Sequence, residues 1–487
     1  MPDTLLQYDL LICGGTVIDG TRAPRFDADL GILDGRIVAI GDLSGHRAAQ
    51  TIDATGRIVA PGFIDAHTHD DQALLTDPDM TCKVSQGVTT VITGNCGISA
   101  APLAADMPLP MPLSLLKSPD EGRFTTFRAY LDALRATPSS VNVAALVGHS
   151  TLRVLTMSAL EREANEEEIG AMQLHVEEAM QAGAIGLSTG TFYAPAAAAS
   201  TQEIIAVAKP LSQHRGLYVT HMRDESDHVM DSLEETFEIG RQLNVPVVIS
   251  HHKLANTQNF GRSTTTLPFI KETMQHQCVS LDCYPYDAGA TMIRTDGGML
   301  AGRVLIVSSE PHPECANRDL DDIAAEWQVA KEEAARRLQP GSAIYFVMSE
   351  NDVQRIMAFD ETMIGSDGVQ VGDKPHPRLW GTFPRVLGHY CRDVGLFPLE
   401  TAVWKMTGLT ARNFGLAQRG TIELGHHGDI VIFDAATVRD AANYDTPTLA
   451  AEGIDVVIVN GMVTWRHGRH ALARSGQVLN RVPVPGR

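Results

Sequence analysis

The stretch PGFIDAHTHDD, at residues 61–71, joins a short apolar run to two histidines that are separated by one residue. The apolar residues that precede the histidines are typical of a buried strand. On extended backbone, residues two apart point to the same side, so His67 and His69 can present both imidazoles to one ion. The stretch therefore predicts a strand whose carboxyl end carries part of a metal site.

Seven further apolar runs follow, and helical stretches such as NEEEIGAMQLHVEEAMQAG, at residues 165–183, separate them. Such alternation of strand and helix predicts an α/β fold with a parallel sheet, and eight strands are the number that a (β/α)8 TIM-like barrel requires. The eight runs, in chain order, are RIVAPGFIDAH, GVTTVITG, NVAALVGH, AIGLSTG, LYVTH, VPVVISH, VSLDCYPY and TMIGSD.

The two ends of the chain have a different texture, with short β-branched segments broken by Gly-Gly, Asp-Gly and Thr-Gly turns. This pattern is typical of antiparallel hairpins. We expect residues 1–60 and 418–487 to form one small β-sandwich domain beside a catalytic barrel at 61–417. The interval between the seventh and eighth runs is too long for one crossover helix, which predicts an inserted, lid-like segment at 285–350.

Composition and charge narrow the possible partners. The chain has 39 basic and 59 acidic residues, a formal net charge of -20, so nucleic acid and anionic membrane surfaces are not expected partners. The amino-terminal residues lack the pattern of a secretory signal, and no apolar run reaches membrane-spanning length, so we expect a cytoplasmic protein. Seven scattered cysteines without a CxxC pair argue against a disulfide framework.

Polar residues stand at the same end of most of the predicted strands. Strand carboxyl ends form the face of a (β/α)8 barrel that carries the chemistry, so these side chains should converge on one mouth. On its own, Cys96 in TGNCG could be a core thiol, a nucleophile or a ligand. Beside His221, His251 and the histidine pair, a shared divalent site is the better interpretation, and zinc accepts a thiolate together with imidazoles.

Asp367, in the segment IGSDG, closes the eighth predicted strand. A carboxylate at this point can accept a proton from the attacking water and return it to a leaving amine, which is the role of a general base and acid. The alternative is an N-cap for the segment that follows. The nearby imidazoles favour the catalytic role.

Several segments together carry a resemblance to a known family, and they span almost the whole chain. They are PGFIDAHTHDD, TGNCG, GLSTGTFYAP, THMRDE, SHHK, CYPY, GSDG and HPRLWGTFPR. The chain resembles the amidohydrolase superfamily and, within it, the N-acyl-D-amino-acid deacylase (D-aminoacylase) family. The resemblance implies zinc-dependent hydrolysis of small-molecule N-acyl-D-amino acids to a carboxylate and a free D-amino acid.

The resemblance also implies roles for the residues at the barrel mouth. Cys96, His221 and His251 would hold one tight zinc ion. Asp367 would be the general base and acid. The histidine pair of residues 67 and 69 would lie with this aspartate at a weaker or unoccupied second metal position.

By the same resemblance, the substrate carboxylate would be bound by Arg378, Lys253, Tyr193 and Tyr284. The preference for the substrate side chain rests on the segment DAGATMIRTDGG, at residues 287–298. Arg294 could pair with an acidic side chain, as in N-acyl-D-glutamate or N-acyl-D-aspartate deacylases, whereas the methionines and isoleucine nearby could line an apolar pocket. We expect neutral or hydrophobic side chains.

Two other functions are compatible with a metal-binding barrel. A cyclic-amide hydrolase similar to hydantoinases would use a lysine ligand, for which this chain offers no comparable position, and would leave Cys96 unexplained. A metal-binding barrel that serves as a non-catalytic scaffold would make Asp367 dispensable.

Overall fold

Eight parallel strands form a barrel at the centre of the molecule, in a computed structural model that describes residues 7–116 and 123–483. The first three strands pair in order, and the third to eighth pair in order, with Leu146 interrupting the third. The Ala66 amide, which donates to the Ile364 carbonyl at 3.2 Å, closes the ring between the first and eighth strands. The predicted (β/α)8 barrel is thereby confirmed. Its strands are Phe63–Asp65, Val88–Thr93, Asn142–Ala145 with Val147–Gly148, Gly186–Gly190, Leu217–His221, Val247–Ile249, Val279–Cys283 and Thr362–Ile364.

The barrel strands are buried on both faces, which explains their nearly continuous apolar runs. Ile64, Ile92, Val219 and Met363 come from four different strands and belong to one buried apolar cluster. Because inward side chains of a (β/α)8 barrel pack in layers, this cluster closes the barrel interior and leaves the carboxyl ends of the strands free for a site.

Helices surround the strands, and their amphipathic faces pack on the barrel. Glu166–Ala182 begins with a capping box between Asn165 and Glu168 and ends before Gly183. The α-helices of the barrel are Ala73–Thr76, Thr81–Val84, Phe127–Ala136, His149–Thr156, Glu166–Ala182, Ala194–Ala197, Thr201–Ala208, Pro210–His214, Val229–Leu243, Ser263–Thr273, Glu350–Ala358, Arg378–Arg385, Leu399–Met406 and Gly408–Phe414. Short 3-10 helices are Leu113–Leu116 and Thr257–Asn259, and Val386–Asp393 is π-helical.

Strands from both ends of the chain join in one nine-stranded sheet, so a small β domain stands beside the barrel as expected. Leu10 and Ile32 from the amino-terminal part share an apolar cluster with Ile430 and Ile458 from the carboxyl-terminal part. The strands are Gln7–Val17, Phe26–Leu33, Arg36–Gly41, Arg47–Asp53, Ile58–Pro61, Ile430–Phe433, Ile454–Val459, Met462–Arg466 and Arg469–His470.

The segment after the last strand leaves this sheet and returns to the barrel. The Leu479 amide donates to the Val143 carbonyl at 2.8 Å, and the Gly476 amide donates to the Ser139 carbonyl at 2.8 Å. The end of the described chain therefore packs beside the third barrel strand.

An insertion lies between the seventh and eighth barrel strands. It consists of a three-stranded antiparallel sheet with helices on it, in the order Gly289–Met292, Gly297–Leu300, Arg303–Ser309, Pro313–Cys315, Leu320–Trp327, Lys331–Leu338 and Gly341–Phe346. Its first strand, at Gly289–Met292, contributes Ala290 and Thr291 to the walls of the barrel mouth.

None of the helices within the two described ranges is long and apolar enough to span a membrane.

Candidate metal centre

The carboxyl ends of the strands bring the six residues predicted for metal binding and catalysis into two overlapping groups. In each group, one ligand atom from every residue lies within 4.8 Å of the others. Cys96 belongs to both groups, so its thiol lies between the two sets of histidines. The groups are His67, His69, Cys96 and Asp367, and Cys96, His221 and His251.

Distances around the thiol are those of a compact donor set. The Sγ atom of Cys96 lies 3.2 Å from Nε2 of His67 and 3.3 Å from Nε2 of His251. On the other side, Oδ1 of Asp367 lies 3.3 Å from Nε2 of His69 and 3.6 Å from Nε2 of His67. Soft sulfur and imidazole donors with one carboxylate are suited to zinc or a similar divalent ion.

Three of these residues adopt left-handed backbone conformations, which non-glycine residues rarely do. The φ angles are 54° at Cys96, 35° at His251 and 50° at Asp367. Residues held in this region cluster at functional sites, where the surrounding structure maintains them. Each of the three follows the end of a barrel strand, so the turn re-aims its side chain into the barrel mouth.

Two glycines allow the turn around Cys96 to pack against neighbouring strands. Gly94 has φ 75°, and a Cβ atom there would lie 1.9 Å from the Leu146 carbonyl oxygen. At Gly190, a Cβ atom would lie 2.1 Å from the Cys96 carbonyl oxygen. A larger residue would therefore collide with the Leu146 backbone at the first position and with the Cys96 backbone at the second, which explains both glycines.

The electrostatic environment favours the metal-binding forms of these side chains. Burial alone would raise the pKa of the Cys96 thiol, but His67 and His251 outweigh burial and hold its pKa well below the ordinary value. Burial lowers the pKa of His221, which favours a neutral imidazole. Both ring nitrogens of His221 are buried without a hydrogen-bond partner among the described residues, and a bound metal ion would satisfy one of them.

Asp367 is a carboxylate in this setting. Burial would raise the pKa of its carboxyl group, but the Arg378 guanidinium, followed by the neighbouring imidazoles, holds that pKa well below the usual range. Its Oδ2 atom lies 3.0 Å from Nη1 of Arg378. A group that is ionised and within reach of the donor set can accept a proton during catalysis.

Two carboxylates that the sequence analysis did not identify position the histidine ligands. Glu225 accepts a hydrogen bond from Nδ1 of His251 at 3.0 Å, which leaves Nε2 facing Cys96. Asp282 accepts from the His251 amide at 2.9 Å and lies 3.6 Å from Nδ1 of His67. A signal for Glu225 was present, since it follows His221 by four residues within the segment THMRDE.

A buried cation also ties the first barrel strand to the eighth below the site. Lys83 donates to Asp65 at 2.8 Å and to the Ser366 hydroxyl at 3.0 Å, and the Ser366 amide donates to Asp65 at 2.7 Å. Because His67 and Asp367 follow these two strands, the cluster fixes the distance between them. His252, which follows His251 in the chain, points elsewhere, with Nε2 at 2.9 Å from the Thr266 hydroxyl.

All five residues predicted to bind substrate line one cavity of about 290 Å³ next to the donor set; they are Arg378, Lys253, Tyr193, Tyr284 and Arg294. Lys253 donates to both oxygens of Glu225 at 2.7 Å, and Arg294 donates to Asp296 at 2.7 Å. Met299 lines the same cavity, whereas Ile293 is buried in the core. We call this space the wide cavity.

Comparison with known proteins relates this arrangement to a family. Residues 50–291 and 321–465 match the Amidohydrolase family. The chain is 59% identical over 474 residues to a D-aminoacylase of Alcaligenes xylosoxydans xylosoxydans, covering 97% of this chain and 98% of that protein.

Two solved structures are similar throughout. A D-aminoacylase described with a binuclear metal centre, one-metal activation and second-metal attenuation has a TM-score of 0.96 at 57% identity. The N-acyl-D-glutamate deacylase from Bordetella bronchiseptica, complexed with zinc and a phosphonate inhibitor, has a TM-score of 0.93 at 46% identity. Each comparison covers 97% of this chain and 100% of the other. The chain belongs to the amidohydrolase family, in its D-aminoacylase branch.

Proposed function

We propose that this protein is a zinc-dependent hydrolase that converts N-acyl-D-amino acids to a carboxylate and a free D-amino acid. The observation that carries the proposal is the shared position of Cys96 between two groups of histidines, with Asp367 in one of them. Identity of 59% to a D-aminoacylase, over nearly the whole of both chains, supports the same reaction class.

The donor set divides into a tighter and a weaker metal position. Cys96, His221 and His251 would hold the tight zinc ion, and His67 with its neighbours would offer a second position that shares the thiolate. Zinc bound at the tight position would supply a Lewis acid for the amide carbonyl and lower the pKa of a bound water. The binuclear centre described for a D-aminoacylase of similar structure supports this division.

Asp367 is the residue that moves the proton. Its carboxylate would take a proton from the attacking water and deliver it to the amide nitrogen as the D-amino acid leaves. The Arg378 guanidinium, 3.0 Å from Oδ2, holds the carboxylate ionised and oriented before the reaction. The two residues therefore serve as base and as orienting group.

The wide cavity is suited to the amino-acid part of the substrate. Its Arg378 has an Nε atom without a hydrogen-bond partner among the described residues, and this donor is available for the α-carboxylate. Tyr193 and Tyr284 line the same space and would complete the carboxylate site with their hydroxyl groups, whereas the Lys253 ammonium in the same wall is already bound by both oxygens of Glu225.

The side-chain preference follows from the pairing of Arg294. Its guanidinium donates to Asp296 at 2.7 Å and stacks over Phe192, with the cation 4.4 Å from the ring centroid. A cation that is already neutralised offers little attraction to an acidic side chain. With Met299 and Met348 in the same wall, the cavity favours neutral or hydrophobic D-amino acids over D-glutamate and D-aspartate.

The insertion at 285–350 would act as a cover for the site. Its strand Gly289–Met292 places Ala290 and Thr291 in the walls next to Asp367. Covering the mouth would exclude bulk water while the amide is hydrolysed.

A substrate screen tests the proposed function. The zinc-reconstituted protein would be assayed with N-acetyl derivatives of the D and L forms of Met, Leu, Phe, Glu and Asp. We expect turnover of the D forms, with Met, Leu and Phe preferred. Turnover of L forms alone would contradict the proposal, and turnover of D-Glu and D-Asp alone would contradict the side-chain preference.

A further inference from the structure

A second, smaller cavity adjoins the wide cavity at the catalytic aspartate. It measures about 50 Å³, and apolar side chains form most of its wall: Ile98, Leu115, Leu116, Val307, Val369 and Val371. His69 also faces it. The two cavities share Tyr193, Ala290, Thr291, Asp367 and Arg378. The shared residues surround the place where the scissile amide would lie.

The chemistry of the walls separates the two cavities. Lys253, Tyr284 and Arg294 line only the wide cavity, so the carboxylate and side chain of the amino acid belong there. Among the described residues, the small cavity has ionisable groups where it meets the wide one and at His69 and His376, and its remaining walls are largely aliphatic. An uncharged hydrocarbon group is the ligand that such walls stabilise.

We propose that the small cavity is the acyl pocket and that it receives short, linear aliphatic acyl chains. The inference rests on the proposed function, since an N-acyl amide has two substituents and the wide cavity accounts for one of them. Extending the acyl chain from the carbonyl past Asp367 places it between the loop after the eighth barrel strand and the insertion.

The size of the small cavity sets the length of chain that fits. One water-sized group needs roughly 10–15 Å³ of such space, so about 50 Å³ holds about three to five carbon atoms beyond the carbonyl. Each methylene that becomes buried should raise kcat/KM by about fourfold until the pocket is full. The series should therefore rise from acetyl to butanoyl or hexanoyl and then stop rising.

Two valines in different segments of the chain line the small cavity, so its size can be changed by substitution from either side. Val371 lies in the loop after the eighth barrel strand, and Val307 lies in the strand Arg303–Ser309 of the insertion. Both are buried in one apolar cluster with Ala288 and Ile344. Neither belongs to the metal donor groups, so their size can be changed without altering those groups.

The experiment measures kcat/KM for N-formyl-, N-acetyl-, N-butanoyl-, N-hexanoyl- and N-octanoyl-D-methionine. Val371→Phe should lower the butanoyl-to-acetyl ratio of kcat/KM at least tenfold, and Val371→Ala should move the optimum to a longer chain. Val307→Phe fills the same pocket from the insertion and should act like Val371→Phe, so it serves if the latter does not fold. Thermal unfolding would establish that each variant is folded.

Met299→Phe is the matched control, because Met299 lines the wide cavity only. It should change the preference among D-amino acids and leave the butanoyl-to-acetyl ratio within about twofold. An unchanged ratio in both phenylalanine variants of the small cavity would overturn the acyl pocket, as would a tenfold change in the Met299 variant. If the wild-type protein hydrolysed none of the N-acyl-D-amino acids, the proposed function itself would fail.

Discussion

Replacing Glu225 by glutamine should weaken zinc binding although this residue is not one of the ligands. Glu225 accepts a hydrogen bond from Nδ1 of His251 at 3.0 Å and binds the ammonium of Lys253 with both oxygens at 2.7 Å. Burial would raise the pKa of this carboxyl group, but Lys253 and then the two imidazoles lower it well below the usual range. The carboxylate thus fixes the ring of His251 with Nε2 towards Cys96.

The expected loss of zinc affinity depends on how many zinc ligands the Glu225 carboxylate positions. Loss of such a partner behind a metal-binding histidine usually costs about 10- to 100-fold in metal affinity, or roughly 1.4–2.8 kcal/mol. We expect the upper half of this range, because Glu225 also lies 3.5 Å from Nε2 of His221 and therefore acts on two of the three ligands. The Lys253 cation, left without its counter-ion, adds repulsion at the same site.

Zinc affinity would be measured by competition with a chromophoric chelator. The kcat value would be measured separately at saturating zinc. Glu235→Gln is the matched control, since Glu235 is paired with Arg223 at 2.8 Å and hydrogen-bonded to Thr201. Zinc affinities that are equal in the Glu225 and Glu235 variants would refute the positioning role of Glu225.

Three further predictions concern ligand, stability and specificity. Cys96→Ala should lose tightly bound zinc and activity together, as measured by metal analysis and deacylation; activity with one equivalent of zinc would contradict this role. Glu203→Gln should lower the free energy of unfolding by about 3 kcal/mol in urea, because Glu203 is a buried partner of an arginine, whereas the exposed Glu452→Gln should cost under about 1 kcal/mol. Burial would raise the pKa of Glu203, but its histidine and arginine partners lower it from 4.5 to about 2. The contribution of the Glu203 carboxylate to the free energy of unfolding is therefore complete above pH 4.5 and is lost as the pH falls towards 2. If the free energy of unfolding of the wild-type protein and of Glu203→Gln changed with pH in the same way between pH 4.5 and 2, the stabilising role of Glu203 would be refuted. Asp296→Asn keeps the helix cap and releases Arg294, so kcat/KM for N-acetyl-D-glutamate should rise at least tenfold relative to N-acetyl-D-methionine; an unchanged ratio would exclude Arg294 from side-chain selection.

Much of the barrel and its mouth could be predicted from the sequence because both depend on local periodicity. An apolar run followed by a histidine, cysteine or aspartate marks a strand end, and parallel strands place such ends on one face. His67, His69, Cys96 and Asp367 were found in this way.

The remaining features depend on contacts between distant parts of the chain. Glu225 and Asp282 meet His251 only after neighbouring barrel strands pair. Cys96 belongs to both donor groups because of the distances between ligand atoms in the folded chain, which the sequence does not give. Lys253 has the sequence context of a substrate-binding cation, yet Glu225, 28 residues away, already pairs with it. Backbone turns with positive φ at non-glycine residues also leave no clear mark in composition.

The central claim is that Asp367 moves the proton while a separate set of ligands holds the tight zinc ion. Asp367→Asn tests it most directly, with bound zinc and kcat for N-acetyl-D-methionine measured on the same preparation. Because the Cys96, His221 and His251 group does not include Asp367, zinc at the tight site should be retained, while kcat should fall by about 10²- to 10⁴-fold. Retained zinc with wild-type kcat would contradict the account.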